Sequence, residues 1–597
     1  MRAILRNVLL TAVTLFGLTA ASVTVSLAAG DASGDGEQLH SLLGSYLAAN
    51  FAKNENDPDH AASFYRDALS QDPGNEVLLE QAFQAEASEA NWDRAVSLAE
   101  ELVAKDANNR IAHLVLGLNR FKSGDYAKAD KEFEAASDGP VGELTSALAR
   151  AWNALAAGDP VQAKKYLDMP KQAEWAQIYL NFHRALISDI AGKKQDAAAA
   201  YERSFKQESP TLRIPLAYAR HAANEGDLKL AKTILDGQTD KSQDEPHVLV
   251  RELRDQIDSG KKVPLLINTP SEGMAEAFYG LGELLTGEGG VSMGVLYLQM
   301  ALYVVPDHAF ALATLASAYE SMRRYDDAIT VYNRIPKDTA LQGAIEIRKA
   351  FDLNSLDRVD EAKGTLDKQA ADNPKDLKPL DALGNIMRSR KRYAEAVDYY
   401  TRAAALLPNP AKRHWSLYYS RGTSYERLKN WPAAEADLQK ALKLYPDQPL
   451  ALNYLGYSWV DQNRNLKQGM TLIERAVALK PGDGYIVDSL GWAHFKLGNY
   501  KDAVRFLERA VEITPQDPVL NDHLGDALWR VGREREARFQ WDQALTLEPE
   551  PDEAEKIKKK LSEGLPPSLQ SPAHREVQRN VHLKKRKETK LNSRPVE

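Results

Sequence analysis

A 34-residue period constrains this chain more than any other feature of its sequence. Near the C-terminal end Leu490-Gly491 recurs as Leu524-Gly525, Ala503 as Ala537, Ala510 as Ala544 and Pro515 as Pro549, all at the same step. One unit earlier, Leu455-Gly456, Gly469, Ala476 and Pro481 hold the same places with one inserted residue. A fixed period of this length marks a stack of similar supersecondary units, each of which buries its apolar face only against its neighbours. Within a unit the apolar spacing is helical: Ala503, Phe506, Leu507, Ala510 and Val511 fall at i, i+3, i+4, i+7 and i+8. Gly or Ala at the eighth place, and Ala at the twentieth and twenty-seventh, let two helix backbones approach closely. Pro just past the second helix cannot continue it and starts the next turn.

The same places can be followed upstream. Gly422, Tyr425, Trp431, Ala434, Ala441 and Pro446 form one unit, and Leu383-Gly384, Tyr393, Ala396, Tyr400, Ala403 and Pro408 another. Leu315-Ala316, Tyr319, Tyr325 and Ala328 precede them, after Leu281-Gly282, Ala301 and Pro306. Towards the N-terminus the pattern is degenerate but present, as in Leu116-Gly117, Tyr126, Ala129 and Phe133. This wording resembles the tetratricopeptide (TPR) repeat. The resemblance implies an all-α solenoid of helix-turn-helix units wound as a right-handed superhelix, with about thirteen repeats in two blocks. A degenerate array is expected over 37–257 and a regular one over 274–549. Between them, 258–273 carries two glycines and two prolines, Gly260, Pro264, Pro270 and Gly273, and reads as a hinge separating the blocks. A capping helix is expected over 550–564 and a disordered basic tail over 565–597.

The start of the chain reads differently. Arg2 and Arg6 precede a run without charge from Val8 to Ala29, and Ser26-Leu27-Ala28 offers a cleavage site. This predicts a signal peptide over 1–29 and a periplasmic or otherwise exported protein. The alternative is an uncleaved inner-membrane anchor, the one route by which the chain would meet a membrane. At 597 residues the chain is too long for one compact core. It contains no cysteine, which removes disulfides, thiolate zinc sites and lipid attachment through an N-terminal cysteine. A net charge of −8 disfavours nucleic acid as a partner. That charge is uneven, because residues 574–597 carry eight Lys/Arg against three Glu.

No chemistry stands out. The histidines are scattered, and Gly287-Glu288-Gly289-Gly290 lacks the lysine and strand context of a phosphate loop. No catalytic, metal or cofactor site is therefore predicted, and the expected partner is protein. The candidate residues are those that face the inner curve of the stack. The fifth place of successive units holds Asp381, Tyr419, Asn453, Asp488 and Asp522; the ninth holds Asn385, Thr423, Tyr457, Trp492 and Asp526. With Trp529, these rows alternate polar groups with aromatics and predict a groove for an extended or helical partner segment. The competing reading packs Trp492 and Trp529 against neighbouring helices and leaves the carboxylates as solubilising groups. TPR domains that grip acidic C-termini carry Lys and Arg at these places, so neutral or basic ligands are expected instead.

The stretches Leu452 to Ser458, Val487 to Trp492 and Asp522 to Trp529 resemble a group of bacterial envelope TPR proteins. That group includes adaptor lipoproteins that dock a carboxyl-terminal processing protease and bring it substrates. The resemblance implies a scaffold or adaptor without an activity of its own. Envelope assembly, polysaccharide secretion or an enzyme hidden in the N-terminal half are the alternatives.

Overall fold

The computed structural model describes residues 41–566 apart from 56, 169–173, 208–210 and 241–244. The expected signal segment 1–29 and the tail from 567 onward lie outside the described residues. Among those described, 30 α-helices follow one another, with a single two-residue antiparallel pairing of Thr239–Asp240 with Glu245–Pro246. The chain is an all-α solenoid of successive helix pairs, as its period predicts.

Twenty-eight of the helices form antiparallel pairs, fourteen units of a first helix A and a second helix B. Units 1–6 span 42–71, 76–105, 110–135, 139–168, 174–206 and 213–236. Units 7–14 span 270–304, 309–332, 342–372, 378–405, 415–444, 449–479, 484–513 and 518–546. Two helices stand alone, a linker helix Val248–Asp258 and a C-terminal helix Pro551–Glu563. The fourteen pairs are one more than the period suggested.

The small residues of the repeat sit where helices touch. In unit 12 a methyl group on Gly456 would come within 2.7 Å of the Gly469 carbonyl, and one on Gly469 within 2.8 Å of the Gly456 carbonyl. In unit 13 a methyl on Gly491 would meet Leu507 at 2.6 Å, and Ala503, Leu507 and Ala510 are fully buried beside it. The turn between A and B needs one residue in the left-handed region. Gly124, Gly158, Gly192, Gly226 and Gly260 supply it at a constant step of 34.

That register changes the reading of 258–273. Gly260 closes the linker helix as its counterparts close the A helices before it, and the linker helix packs on both helices of unit 6. The linker helix is thus the A half of a further repeat. No B half follows it, and residues 261–269 run without helix to the start of unit 7 at Pro270. Val263 and Ile267 are buried, and Arg220 donates to the Pro264 carbonyl at 3.0 Å. The stretch is a packed return and not a hinge between separate blocks.

Unit 7, directly after the return, joins the two halves. Its helix A packs on helix A of units 4 and 5, and its helix B on helix A of units 2 and 3. Gly273 lies so close to Trp152 that an added methyl would reach 2.2 Å from its ring. Tyr297 receives Arg110 at 3.0 Å, Tyr303 donates to Asn119 at 3.1 Å and stacks on Trp92 at 4.4 Å, and Gln299 donates to the Ser88 carbonyl. A buried ion pair, Arg213 with Glu276, locks unit 6 to unit 7. One continuous apolar core consequently runs from Leu79 to Ile345. Beyond it the core breaks into smaller pieces between successive units, as an open stack requires.

Candidate functional site

Unit 7 fills the space bounded by the A helices of units 2–5, so the accessible inner surface belongs to the C-terminal units. There a cavity of about 500 Å³ opens among the A helices of units 11, 12 and 14 and the C-terminal helix. This lies within the roughly 300–1,000 Å³ of ligand pockets, enough for a few side chains of an extended segment. Tyr454, Tyr457 and Asp461 come from one face of unit 12, at i, i+3 and i+7. Glu426 and Arg427 come from unit 11, Asp522 and His523 from unit 14, and Glu553 and Ile557 from the C-terminal helix. Lys391 in the turn of unit 10 lies 3.9 Å from Glu550, so the coil of units 10–14 comes back on itself around this space.

The polar groups of the cavity are held firmly. Tyr454 donates to Glu426 at 3.1 Å. Burial, with the charges of Asp461 and Asp488 behind it, pushes the Tyr457 hydroxyl well above its ordinary value. His523 bonds both oxygens of Asp488 at 3.0 Å and stacks on Trp492 at 3.9 Å. Burial works against its charged form, but Asp488, Asp522 and Asp526 outweigh it and raise its pKa. Trp492 also stacks on Phe495 at 4.6 Å.

The last unit is covered by its own chain. Nζ of Lys560 on the C-terminal helix lies 2.7 Å from Asp522 and 2.8 Å from Asp526. Asp526 also accepts the Trp541 indole N–H at 3.0 Å. Trp529 packs against Trp541 at 5.4 Å and against Gly564. Burial lowers the Lys560 pKa less than the two carboxylates raise it, so the ammonium stays charged.

The eleven expected groove residues therefore divide. Tyr457 and Asp522 line the cavity. Asp488 and Trp492 stand behind it and hold His523, while Asp526 and Trp529 lie under the C-terminal helix. Tyr419 is packed between Trp415 and Tyr454. Asn453 donates to Ser489 at 3.1 Å, and its Oδ1 has no hydrogen-bond partner. Asp381 and Asn385 lie in unit 10, where Asn385 joins the Asp381 carbonyl and the Tyr400 hydroxyl, each at 3.0 Å. Burial pushes the Asp381 carboxyl up to about 6, against the pull of Arg388. Thr423 is buried and bonds the Ser420 carbonyl within its own helix. Tyr454, Asp461, His523, Glu553 and Lys560 were not among the expected residues. The i, i+3, i+7 face shared with Tyr457 is a signal in the sequence for Tyr454 and Asp461, and no such spacing marks His523, Glu553 or Lys560, which lie on other helices. Among the described residues, no group of three or more His, Asp or Glu is placed to hold a metal ion. No described helix is long and apolar enough to cross a membrane.

Comparison with known proteins places this site in a repeat array. Tetratricopeptide repeat profiles match residues 311–338, 380–413, 419–484 and 487–517. A TPR repeat-containing protein of Pseudomonas aeruginosa is 29% identical over 165 residues, 26% of this chain and 26% of that protein. The E3 ubiquitin-protein ligase CHIP of Arabidopsis thaliana is 29% identical over 123 residues, 20% of this chain and 42% of the ligase. The matches thus span about a quarter and less than half of those relatives. Among solved structures, the Cut9 and Hcn1 assembly of the APC/C is similar over 87% of this chain and 96% of that one, at 14% identity and a TM-score of 0.37.

Proposed function

We propose, from the premise that this chain is built of tetratricopeptide repeats, that it is an exported scaffold or adaptor. It captures an extended or helical segment of a partner protein in the cavity of units 11–14 and carries no chemistry of its own. The observation that supports this best is the contrast between the two inner surfaces. The first is closed by unit 7, whereas the second keeps an open cavity with aromatic walls and fixed polar groups. Tyr454 and Tyr457 offer flat apolar contact at low entropic cost, and the carboxylates around them favour a neutral or basic segment. The segment Val8 to Ala29 supports export, and presentation of substrates to an envelope protease is the specific role favoured by the wording of the last repeats.

The test is affinity capture from a cell-envelope fraction with the native chain and with Tyr457→Ala combined with Asp461→Lys. Circular dichroism would verify that helicity is retained. One or a few stoichiometric partners should be captured by the native chain and lost from the variant. Equal capture by both would remove the cavity from the reading. N-terminal sequencing of the mature protein tests export: a start near Gly30 supports it, and a retained Met1 favours the anchor. Stimulation of a soluble envelope protease by the purified protein would identify the adaptor role.

A further inference from the structure

The chain carries within itself a ligand of the kind this cavity selects. The lining presents four carboxylates, Glu426, Asp461, Asp522 and Glu553, against the guanidinium of Arg427 and the ring of His523. A cation of the same chain already engages one of these carboxylates, since Lys560 bridges Asp522 to Asp526 behind the cavity. The described chain then ends beside the cavity, because Arg530 of unit 14 donates to the Pro566 carbonyl at 2.7 Å and Gly564 lies against Trp529. Residues 567–597 come next, with eight Lys/Arg and three Glu from His574 onward and the run Lys584-Lys585-Arg586-Lys587 at their centre.

We propose that this basic tail docks in the cavity of units 11–14 and competes there with the partner segment. The proposal rests on the groove reading above and adds to it a built-in competitor. Reach is sufficient: eighteen residues separate Pro566 from Lys584, a span of about 60 Å if extended and about 24 Å as a flexible chain. The C-terminal helix, whose first half lines the cavity and whose end starts the tail, is about 20 Å long. A tether this short holds the tail at millimolar effective concentration, so modest intrinsic affinity is enough. All four carboxylates have local partners: Glu426 with Arg427 at 3.8 Å, Asp461 with Lys496 at 3.1 Å, Asp522 with Lys560 at 2.7 Å and Glu553 with Lys556 at 2.6 Å. The pairs of Glu426, Asp461 and Glu553 are at least partly exposed and each is worth less than about 1 kcal/mol, so these three can exchange their partner for a tail cation. Attraction of this kind is screened over about 8 Å at physiological ionic strength, so docking weakens with salt.

Zero-length carbodiimide cross-linking of the full chain, read by mass spectrometry, tests this directly. Lys584, Lys585 or Lys587 should link to Glu426, Asp461 or Glu553 within a monomer, with at least a fivefold loss of yield between 0.05 M and 0.5 M salt. The link from Lys560 to Asp522 serves as an internal control for the fold. In the variant Asp461→Asn with Glu553→Gln, which leaves Glu426 as acceptor, the tail link to Glu426 should fall at least fivefold, with the control link kept. Tail links spread evenly over carboxylates of units 1–9, tail links confined to covalent dimers, or no tail links beside a strong control link would each overturn the proposal. The groove reading is judged separately. A chain ending at Pro566 should capture its partner at least tenfold more tightly, whereas tail links without any partner capture would retain the docking and sink the groove reading.

Discussion

Replacing Glu276 by Gln should loosen unit 7 from units 4–6 and leave the last four units unaffected. Glu276 is 2% exposed and Arg213 6%, so the pair lies out of reach of solvent. Nε of Arg213 donates to one carboxylate oxygen at 2.9 Å, a second guanidinium N–H donates to the other, and His308 lies 3.3 Å from that second oxygen. Two charges at about 4 Å attract by about 4 kcal/mol at an effective dielectric of 20. Removing one member of a buried pair costs about 3–5 kcal/mol, because the other charge stays behind uncompensated. The Phe310 ring, 4.3 Å from the guanidinium, offers no new compensation, because that contact is already made in the native chain. At 1.4 kcal/mol per tenfold, local opening should rise by roughly two to three powers of ten. Native-state hydrogen exchange is the right assay, since a long repeat array does not melt in one cooperative step. Amides in units 6 and 7 should exchange faster in Glu276→Gln, and those in units 11–14 at the native rate. Arg213→Met with Glu276→Leu should restore most of the protection, because both charges then leave the interior together. Unchanged exchange in units 6 and 7, or faster exchange along the whole chain, would refute this account of the junction.

Acid should open the same junction without any mutation. Trp152 donates to Nδ1 of His183 at 2.9 Å, and burial lowers the His183 pKa to about 4, so below about 6.5 the unfolded chain binds a proton that the folded one refuses. Stability is therefore complete above pH 6.5 and falls by about 3 kcal/mol towards pH 4, seen as exchange in units 4, 5 and 7. Burial opposes the ionisation of Glu276, but Arg213 and His308 hold it well below the ordinary value of 4.5, so its contribution too is lost as pH drops below that value. Asp352 has the opposite sign: burial, with Glu320 nearby, pushes it up to about 7, so stability falls as pH rises from 3.8 to 7. Asp352→Asn should therefore stabilise unit 9 by about 1–2 kcal/mol at pH 8 and change little at pH 4, measured by the same exchange. Gly456→Ala should cost about 1–3 kcal/mol, because the new methyl meets a backbone carbonyl, and should do so without lowering stability in units 1–8. Lys560→Met should leave Asp522 and Asp526 facing each other unpaired, detach the C-terminal helix and shift the Trp529 emission to the red.

Where the repeat wrote itself in small residues, the fold could be read directly. Gly456, Gly469, Gly491 and Ala503 mark helix crossings because nothing larger fits there, and the pairing of helices in units 10–14 follows from them. The return after the linker helix was harder. Gly260 continues the 34-residue step, so the period breaks only at Pro264, a few residues beyond the start expected for the hinge. The filling of the first inner surface by unit 7 depends on contacts such as Arg213 with Glu276 and Trp152 with Gly273. Both are distant in sequence and carry no local periodicity, so the repeat pattern does not reveal them. For the inner surface of units 11–14 the counted places found the right helices, and two of their residues, Tyr457 and Asp522, line the cavity. Asp488 and Trp492 serve His523 in place of a ligand, because stacking and a buried carboxylate stabilise that ring. Asp526 and Trp529 are covered by a helix whose existence was expected but whose Lys560 was not.

The seating of unit 7 among units 2–5 sets how this architecture can vary. A solenoid in which each repeat meets only its neighbours can gain or lose one repeat and remain a solenoid. Units 9–14 come nearer to that condition, the exposed contact of Lys391 with Glu550 aside, and changes of length there would remodel the inner surface at small structural cost. Units 2–7 do not. Arg324 of unit 8 meets Glu89 of unit 2 across 235 residues, and losing any one of units 4–6 would carry Tyr297 and Arg324 away from Arg110 and Glu89 together. Duplication and deletion should therefore be tolerated on one side of this boundary and not on the other.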